Sequence, residues 1–437
     1  MLRAGSRLEG KMTQHKLYPD ATRMHAHSPH AAEMFTRRHF LSSLLSSAVF
    51  ASWALGQAGP QTPSDLAEGF RRMSEDYEKD GLEAPFKGIT TNGEIVPGLF
   101  EIRPSGVSTG PVRNAAEAFI ATLSPVQLVR CMYPVDDIEW RKWMNQHFYP
   151  RQGVCLGEMT DAQREATFAL MRASLSAKGF ELTRNIMRLN GTLAELADDH
   201  VFLGEWLYYI QVFGKPSAAE PWGWKFEGHH AIINCFVLED QVVMTPLFIG
   251  TEPVKAPSGK YQGLQILQRE QNDGLEMLNA LSEPQRAQAI LNFSKTDNNN
   301  LTEAFKDNVV IECAGLRTNN LSGTARHRFR DLINLYISNM DEGHARVKMD
   351  EVDRHLDNTW FTWIGGTQRE SVFYYRIQSP VVLIEFDHQR PANLRKFSLD
   401  PTKPTQQHIH CVVRTPNGND YGKDLLRQHY LQHPHTS

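Results

Sequence analysis

The sequence predicts an α+β fold: two related halves, each a run of helices followed by strands, enclosing a cleft. Three observations predict it. Helical apolar periodicity gives way to strand periodicity twice, first at Trp206–Phe213 and Trp222–Leu238, then at Trp360–Ile364 and Phe373–Asp387. The two strand blocks align without a gap at an offset of 151 residues. At that offset Gly214 meets Gly365, Trp222 meets Phe373, Trp224 meets Tyr375, Lys225 meets Arg376, Glu227 meets Gln378 and Ile232 meets Leu383. Finally, helix-start signals recur before each block, as a duplicated unit requires.

The chain has 437 residues, 41% of them apolar and 22% charged, enough to bury a large core. Its net charge of −4 gives no bulk electrostatic case for nucleic acid. Residues 1–33 are polar, lack apolar periodicity and read as a non-native or disordered extension ahead of a start at Met34. Residues 34–58 read as an export signal. Thr36-Arg37-Arg38-His39-Phe40-Leu41 resembles the twin-arginine motif, an acid-free apolar run follows, and Ala54-Leu55-Gly56-Gln57-Ala58 offers a cleavage site. The expectation is a periplasmic or secreted protein delivered by the twin-arginine export machinery. That route carries folded cargo, which favours a cofactor or metal loaded before export. No other apolar run approaches the ~18–20 residues that span a bilayer, so no membrane span is expected in the mature protein.

Residues 59–110 are rich in turn formers, with one helix near Ser64–Lys79. The first half is expected over 111–295. Ser124 with Gln127, Thr160 with Gln163 and Ser282 with Gln285 have capping-box spacing, and Ser322 is a weaker fourth start. The Thr160 helix carries Phe168, Met171 and Leu175 on one face and is expected to stop near Gly179. The next helix repeats Leu182, Ile186, Leu189 and Leu193. The polar run Thr296-Asp297-Asn298-Asn299-Asn300 reads as the loop between the halves. The second half follows over 301–430, with a helix over Asp424–Tyr430 and a tail over 431–437. Five cysteines without C-x-x-C spacing disfavour a zinc ribbon, and Cys235 and Cys411 read as buried small hydrophobes.

The densest chemistry is Trp222-Gly223-Trp224-Lys225-Phe226-Glu227-Gly228-His229-His230. With Thr245-Pro246, Trp363 to Gly366, Tyr375-Arg376-Ile377-Gln378, Ile384-Glu385-Phe386-Asp387, His408-Ile409-His410 and Asp420-Tyr421-Gly422, it forms an ordered set of motifs. By these motifs the chain resembles the domain-of-unknown-function 3500 family over most of residues 110–430. The resemblance supplies no substrate. The stretch 390–407 departs from the family pattern by its length and its three prolines, which places a changed rim beside any site.

Alternation along a strand puts His408 and His410 on one face, and Glu385 and Asp387 on one face. Two histidines and two carboxylates on neighbouring strands can converge on a divalent ion (zinc, iron, manganese or copper). His230 has the strand parity of Glu385 and Asp387 at the 151-residue offset, so it joins the expected ligands. Glu227 and His229 are the expected general base or acid, Trp222 and Trp224 the substrate wall, and Lys225 and Arg376 the anion-facing cations. Asp424 is the expected group orienting a ligand histidine. Zincin, G-x-S-x-G, G-x-G-x-x-G and Walker patterns are absent from the sequence. The function expected is a metal-dependent hydrolase acting on a small organic substrate. The alternatives are a periplasmic small-molecule binding protein without catalysis and a metal-dependent oxidoreductase.

Overall fold

The computed structural model describes residues 63–433; the segments expected to be an extension and an export signal, and the last four residues, lie outside the described residues. Ten helices and thirteen strands follow in order among the described residues. Helix α1 spans Pro63–Leu82, α2 Gly110–Ala121 and α3 Pro125–Cys131. Two short strands, β1 (Met132–Tyr133) and β2 (Val154–Cys155), precede α4 (Asp161–Ser174) and α5 (Ala177–Ala197). Strands β3 (Tyr208–Phe213), β4 (Trp222–Gly228), β5 (Ala231–Leu238), β6 (Gln241–Val243) and β7 (Leu247–Thr251) come next. The second series is α6 (Gln268–Asn279), α7 (Glu283–Ala289), β8 (Ile290–Asn292), β9 (Leu316–Arg317), α8 (Gly323–Ile337) and α9 (Glu342–Arg354). It ends with β10 (Trp360–Gly365), β11 (Phe373–Gln378), β12 (Leu383–His388), β13 (Ile409–Arg414) and α10 (Lys423–Gln432). The α+β class is therefore the observed one.

Capping boxes at Ser124, Thr160 and Ser282 start α3, α4 and α7. Ser322 precedes α8 without a side-chain cap bond. One boundary differs from expectation. The Thr160 helix ends at Ser174, because Leu175 is extended and Ser176 caps a new helix by accepting from the Gly179 amide. Gly179 is not a stop. A side chain there would meet the Asn339 carbonyl at 2.2 Å, so the glycine lets α5 approach that backbone.

All strands join one sheet, whose main path runs β1-β3-β4-β5-β7-β13-β12-β11-β10-β8. β7 and β13 form the central antiparallel pair. On either side the strands follow the same order, and each end strand is parallel to its neighbour. The hairpin registers also match. Tyr209 pairs with Glu227 and Trp360 with Gln378, both residues shifted by 151. Trp224 pairs with Cys235 and Tyr375 with Phe386, again shifted by 151.

The expected boundary at 296–300 is corrected. β8, with residues 290–292, pairs with β10 and so sits with the second set of strands. The change-over between series falls after β7 and before α6. The run 296–300 is instead a loop pinned against the sheet, as described below.

The sheet has two buried faces of different character. Helices α2, α4, α5, α6, α8 and α9 cover one face, which is apolar and holds the main core. Trp222, Trp224, Phe226, Tyr375, Phe386 and Cys411 point into it. Lys225, Glu227, Arg376, Glu385, Asp387, His410 and Arg414 alternate onto the other face and are also buried. All five cysteines are free. No described helix is long and apolar enough to cross a membrane.

Candidate metal centre

The centre begins at a hairpin turn. Gly228 pairs with Ala231, so His229 and His230 form the two-residue loop between β4 and β5. His230 has φ +64°, a left-handed conformation that glycine or asparagine ordinarily fills in such turns. A histidine held there is a strained residue of the kind that clusters at functional sites. Three contacts hold the turn. The Gly250 amide donates to the His230 carbonyl at 2.8 Å, the His230 amide donates to the Asn145 carbonyl at 3.3 Å, and the Tyr208 hydroxyl donates to the His229 carbonyl at 2.7 Å.

The His230 ring reaches across β7 toward β13. There His410 pairs with Gly250. A Cβ on residue 250 would lie 3.0 Å from His230 Cδ2 and 3.1 Å from His410 Cδ2, so the missing side chain leaves both rings room to meet. His408 completes the group. Its Nε2 lies 3.3 Å from His230 Nε2 and 3.0 Å from His410 Nε2. The three rings are 4–6% exposed. Each offers a ring nitrogen within 4.8 Å of the others.

The outer nitrogens decide what the inner ones can do. His408 Nδ1 lies 2.6 Å from the Arg390 carbonyl, which can only accept, so Nδ1 carries the proton. His410 Nδ1 lies 2.7 Å from Glu303 Oε1. Burial raises the Glu303 carboxyl, but His410, Asn300 and Lys306 together outweigh burial and hold it below its ordinary value. An ionised Glu303 accepts, so His410 Nδ1 is protonated too. Burial pushes His408 down to about 4, and burial followed by the neighbouring imidazoles pushes His230 far down. A neutral His408 with Nδ1–H presents a lone pair at Nε2, aimed at the Nε2 atoms of His230 and His410, so a cation among the three rings would find a donor ready. Two ligands on a tetrahedral ion at about 2.0–2.1 Å would stand roughly 3.3 Å apart, which matches the observed spacings. The buried His230, His408 and His410 cluster can hold a metal ion.

The two expected carboxylate ligands are turned elsewhere. Glu385 accepts from the Leu301 amide at 2.8 Å, the Thr302 amide at 2.9 Å, the Thr302 hydroxyl and the Tyr374 hydroxyl at 2.7 Å. Asp387 pairs with Lys295 at 2.6 Å and accepts from the Asn299 amide and Gln389 Nε2, both at 2.6 Å. Both share the face of the histidines, but their oxygens are spent fixing the 295–303 loop.

The tryptophan wall is corrected as well. Trp222 and Trp224 are fully buried on the helix-covered face, opposite the histidines, because residues 222, 224 and 226 alternate with Lys225 and Glu227. Lys225 donates to the Glu139 and Lys142 carbonyls at 2.8 and 2.7 Å and lies 3.3 Å from Glu227. Glu227 thus belongs to a Lys225–Glu139 cluster. β4, which carries it, lies three strands from His410, roughly 14 Å. Arg376 donates to the Glu312 carbonyl at 3.3 Å, so it holds a loop. Asp424 pairs with Arg427 and Gln428 on its own helix, not with a histidine of the centre. His229 stacks on His230 at 3.8 Å and shares Nδ1 with Asn190 Oδ1 at 2.8 Å.

Sequence reasoning missed four contributors. Glu303 and the Arg390 carbonyl orient two of the histidines, and Asn145 fixes the third. His147, whose ring lies 5.5 Å from that of His229, extends the histidine group. None of the four carries a local signal; Gly250, a glycine inside a strand pattern, does, because such a glycine marks close approach.

No curated protein and no solved structure matches the chain. The family model described as "Protein of unknown function (DUF3500)" matches residues 105–423, most of the chain and all three histidines, and the protein belongs to that family.

Proposed function

We propose that the protein is an exported metal-dependent enzyme, a hydrolase of small organic molecules, with its ion on His230, His408 and His410. The observation that carries this is the approach of three Nε2 atoms, two of them on rings whose Nδ1 is already fixed as a donor. An all-imidazole set suits zinc, copper or iron better than manganese, which favours oxygen donors. Such an ion polarises a carbonyl or phosphoryl oxygen and lowers the pKa of bound water to about 7. Glu303 and the Arg390 carbonyl hold two rings in the ligating tautomer, and the His230 turn brings the third across Gly250.

The fold reading that goes with it is an internal duplication. It is supported by the matching strand order and the 151-residue registers on either side of β7 and β13. The export reading rests on Arg37-Arg38, the acid-free apolar run after them and the small residues 54–58. Replacing both arginines with lysine should leave the precursor in the cytoplasm, and unchanged export would end it.

A second reading, a binding protein without turnover, is favoured by the 4–6% exposure of the three rings, which restricts access. The test is elemental analysis of protein purified without chelator. About one ion per chain is expected, with most of it lost in His410→Ala. A metal-free protein sinks the proposal. Stoichiometric metal without hydrolysis across ester, amide and phosphoester panels supports the second reading.

A further inference from the structure

A groove lies far from the histidines, at the other end of β5. It runs between residues 98–105, β6 and α9, and encloses about 300 Å³, the lower end of the range for small-molecule sites. Its position is set by the β5–β6 turn. Asp240 accepts from the Ser105 and Gly106 amides at 2.8 Å each, and Gln241 accepts from the Arg103 amide at 2.9 Å, so the segment is latched along β6. Ala231, beside His230, and Leu238, beside this turn, are separated by the length of β5, roughly 23 Å.

The groove has two unlike ends. A smaller pocket of about 50 Å³ shares Val242, Val243, Lys348, Glu351 and Asn419 with it and continues inward to Met244, Ile337 and Met340. That end is apolar. The mouth carries Arg103 and Arg354, both exposed. Among the described residues neither guanidinium has a carboxylate within ion-pair distance. Lys348 already neutralises Glu351 at 2.7 Å, so Glu101 is the one acid left at the mouth against two arginines. Guanidiniums without a carboxylate partner at the open end of a groove whose deep side is apolar suit an anion with an apolar body.

We propose that this groove binds an amphiphilic organic anion. The carboxylate, phosphate or sulfonate head meets Arg103 and Arg354, and the apolar body lies along Val242 and Val243 toward Met340. The site is separate from the histidine centre and does not depend on the metal reading.

The test is calorimetric titration of the full chain with decanoate and with decanol, which shares the body but lacks the charge. Saturable binding of one decanoate per chain is expected, with decanol at least tenfold weaker. Arg103→Ser with Arg354→Ser should weaken decanoate at least tenfold while the circular dichroism stays native. His410→Ala should bind decanoate as the wild type does. The inference is overturned by no saturable binding, by equal binding of the two ligands, by a folded double arginine variant that binds normally, or by loss of binding in His410→Ala. The decanol comparison needs no variant and stands even if the arginine substitutions disturb folding.

Discussion

The two faces of the sheet are equally buried and held in opposite ways. On the helix-covered face, rings meet rings: Tyr375 stacks on Phe386 at 5.0 Å, and Tyr208 on Phe226 at 5.4 Å. Such packing is non-directional and needs only shape. On the other face, charged side chains seek backbone groups of loops. Arg414 donates to the Thr302 and Glu303 carbonyls, Lys225 to the Glu139 and Lys142 carbonyls, Gln378 to the Ile311 carbonyl, and Glu385 accepts from the Leu301 and Thr302 amides. Helices have few free backbone groups to offer, whereas loops have many. That is why irregular chain supplies most of these polar partners, while α10 meets this face through Leu425 and Leu426 against Phe236 and Leu238. The difference teaches where chemistry can be built: buried charges lock loops into fixed geometry, and the locked loops carry Glu303, Asn145 and Arg390 to the histidines.

The largest expected effects separate the faces by whether a second substitution rescues the first. Trp224→Ala on the apolar face should destabilise by about 3–5 kcal/mol through the cavity it leaves. No single polar-face change should restore it. Asp387→Ala should lose a similar amount, about 3–5 kcal/mol, because Lys295 is left buried without its counter-charge. Here Lys295→Met in the same chain should recover much of the loss. Urea denaturation of the two single variants and the Asp387→Ala/Lys295→Met double measures this. A double variant no more stable than Asp387→Ala would mean that this face is also held by shape, and the contrast would collapse.

A smaller effect is confined to the polar face and to pH. Glu139 is pushed up to about 7, first by burial and then by Glu227, against the pull of Lys225. A carboxyl raised on folding contributes most at low pH, below its unfolded value of about 4.3, and loses that contribution as pH rises through the folded value. The wild type should therefore lose stability relative to Glu139→Gln between pH 5 and pH 8, by at most on the order of 3 kcal/mol. The amide oxygen of the Glu139→Gln variant can still accept from Gln211 Nε2, which now donates to Glu139 at 3.0 Å. Denaturation midpoints of both proteins at the two pH values decide it. A gap that stays constant with pH would show that Glu139 is ionised throughout.

The apolar face was the legible one. Its elements announce themselves locally: capping boxes, helical spacing and alternating aromatics each act within a few residues. Strand parity also put His408 and His410 on one face; it named His230 with them, but His230 arrives from the β4–β5 turn and not from a strand face. The polar face was legible only in part, because its partners lie far apart in sequence. Asp387 reads as a ligand until Lys295, 92 residues earlier, is seen to occupy it. Trp222 and Trp224 looked like a substrate wall because they adjoin His229, yet the same alternation that assigns Lys225 to one face assigns them to the other. Glu303 stands in a polar loop with no periodicity, so nothing local marks it.

The smallest effect tests whether a locked loop serves the centre or only the fold. Glu303 is reached by Asn300 at 2.8 Å and by His410 at 2.7 Å, and it is a quarter exposed. Glu303→Gln keeps the shape and an oxygen acceptor but removes the charge that makes His410 a stronger ligand. Metal affinity should fall about 10–100-fold, the usual result of removing such a partner. Stability should move by no more than about 0.5 kcal/mol, as for other partly exposed substitutions without a cavity. His433→Ala, on a residue that follows α10, should change neither. Zinc competition against a chelator, with urea melts of the apo-proteins, separates the two quantities. If Glu303→Gln shifts the melt but leaves the affinity unchanged, the carboxylate serves the loop alone, and the polar face holds structure without tuning the histidines.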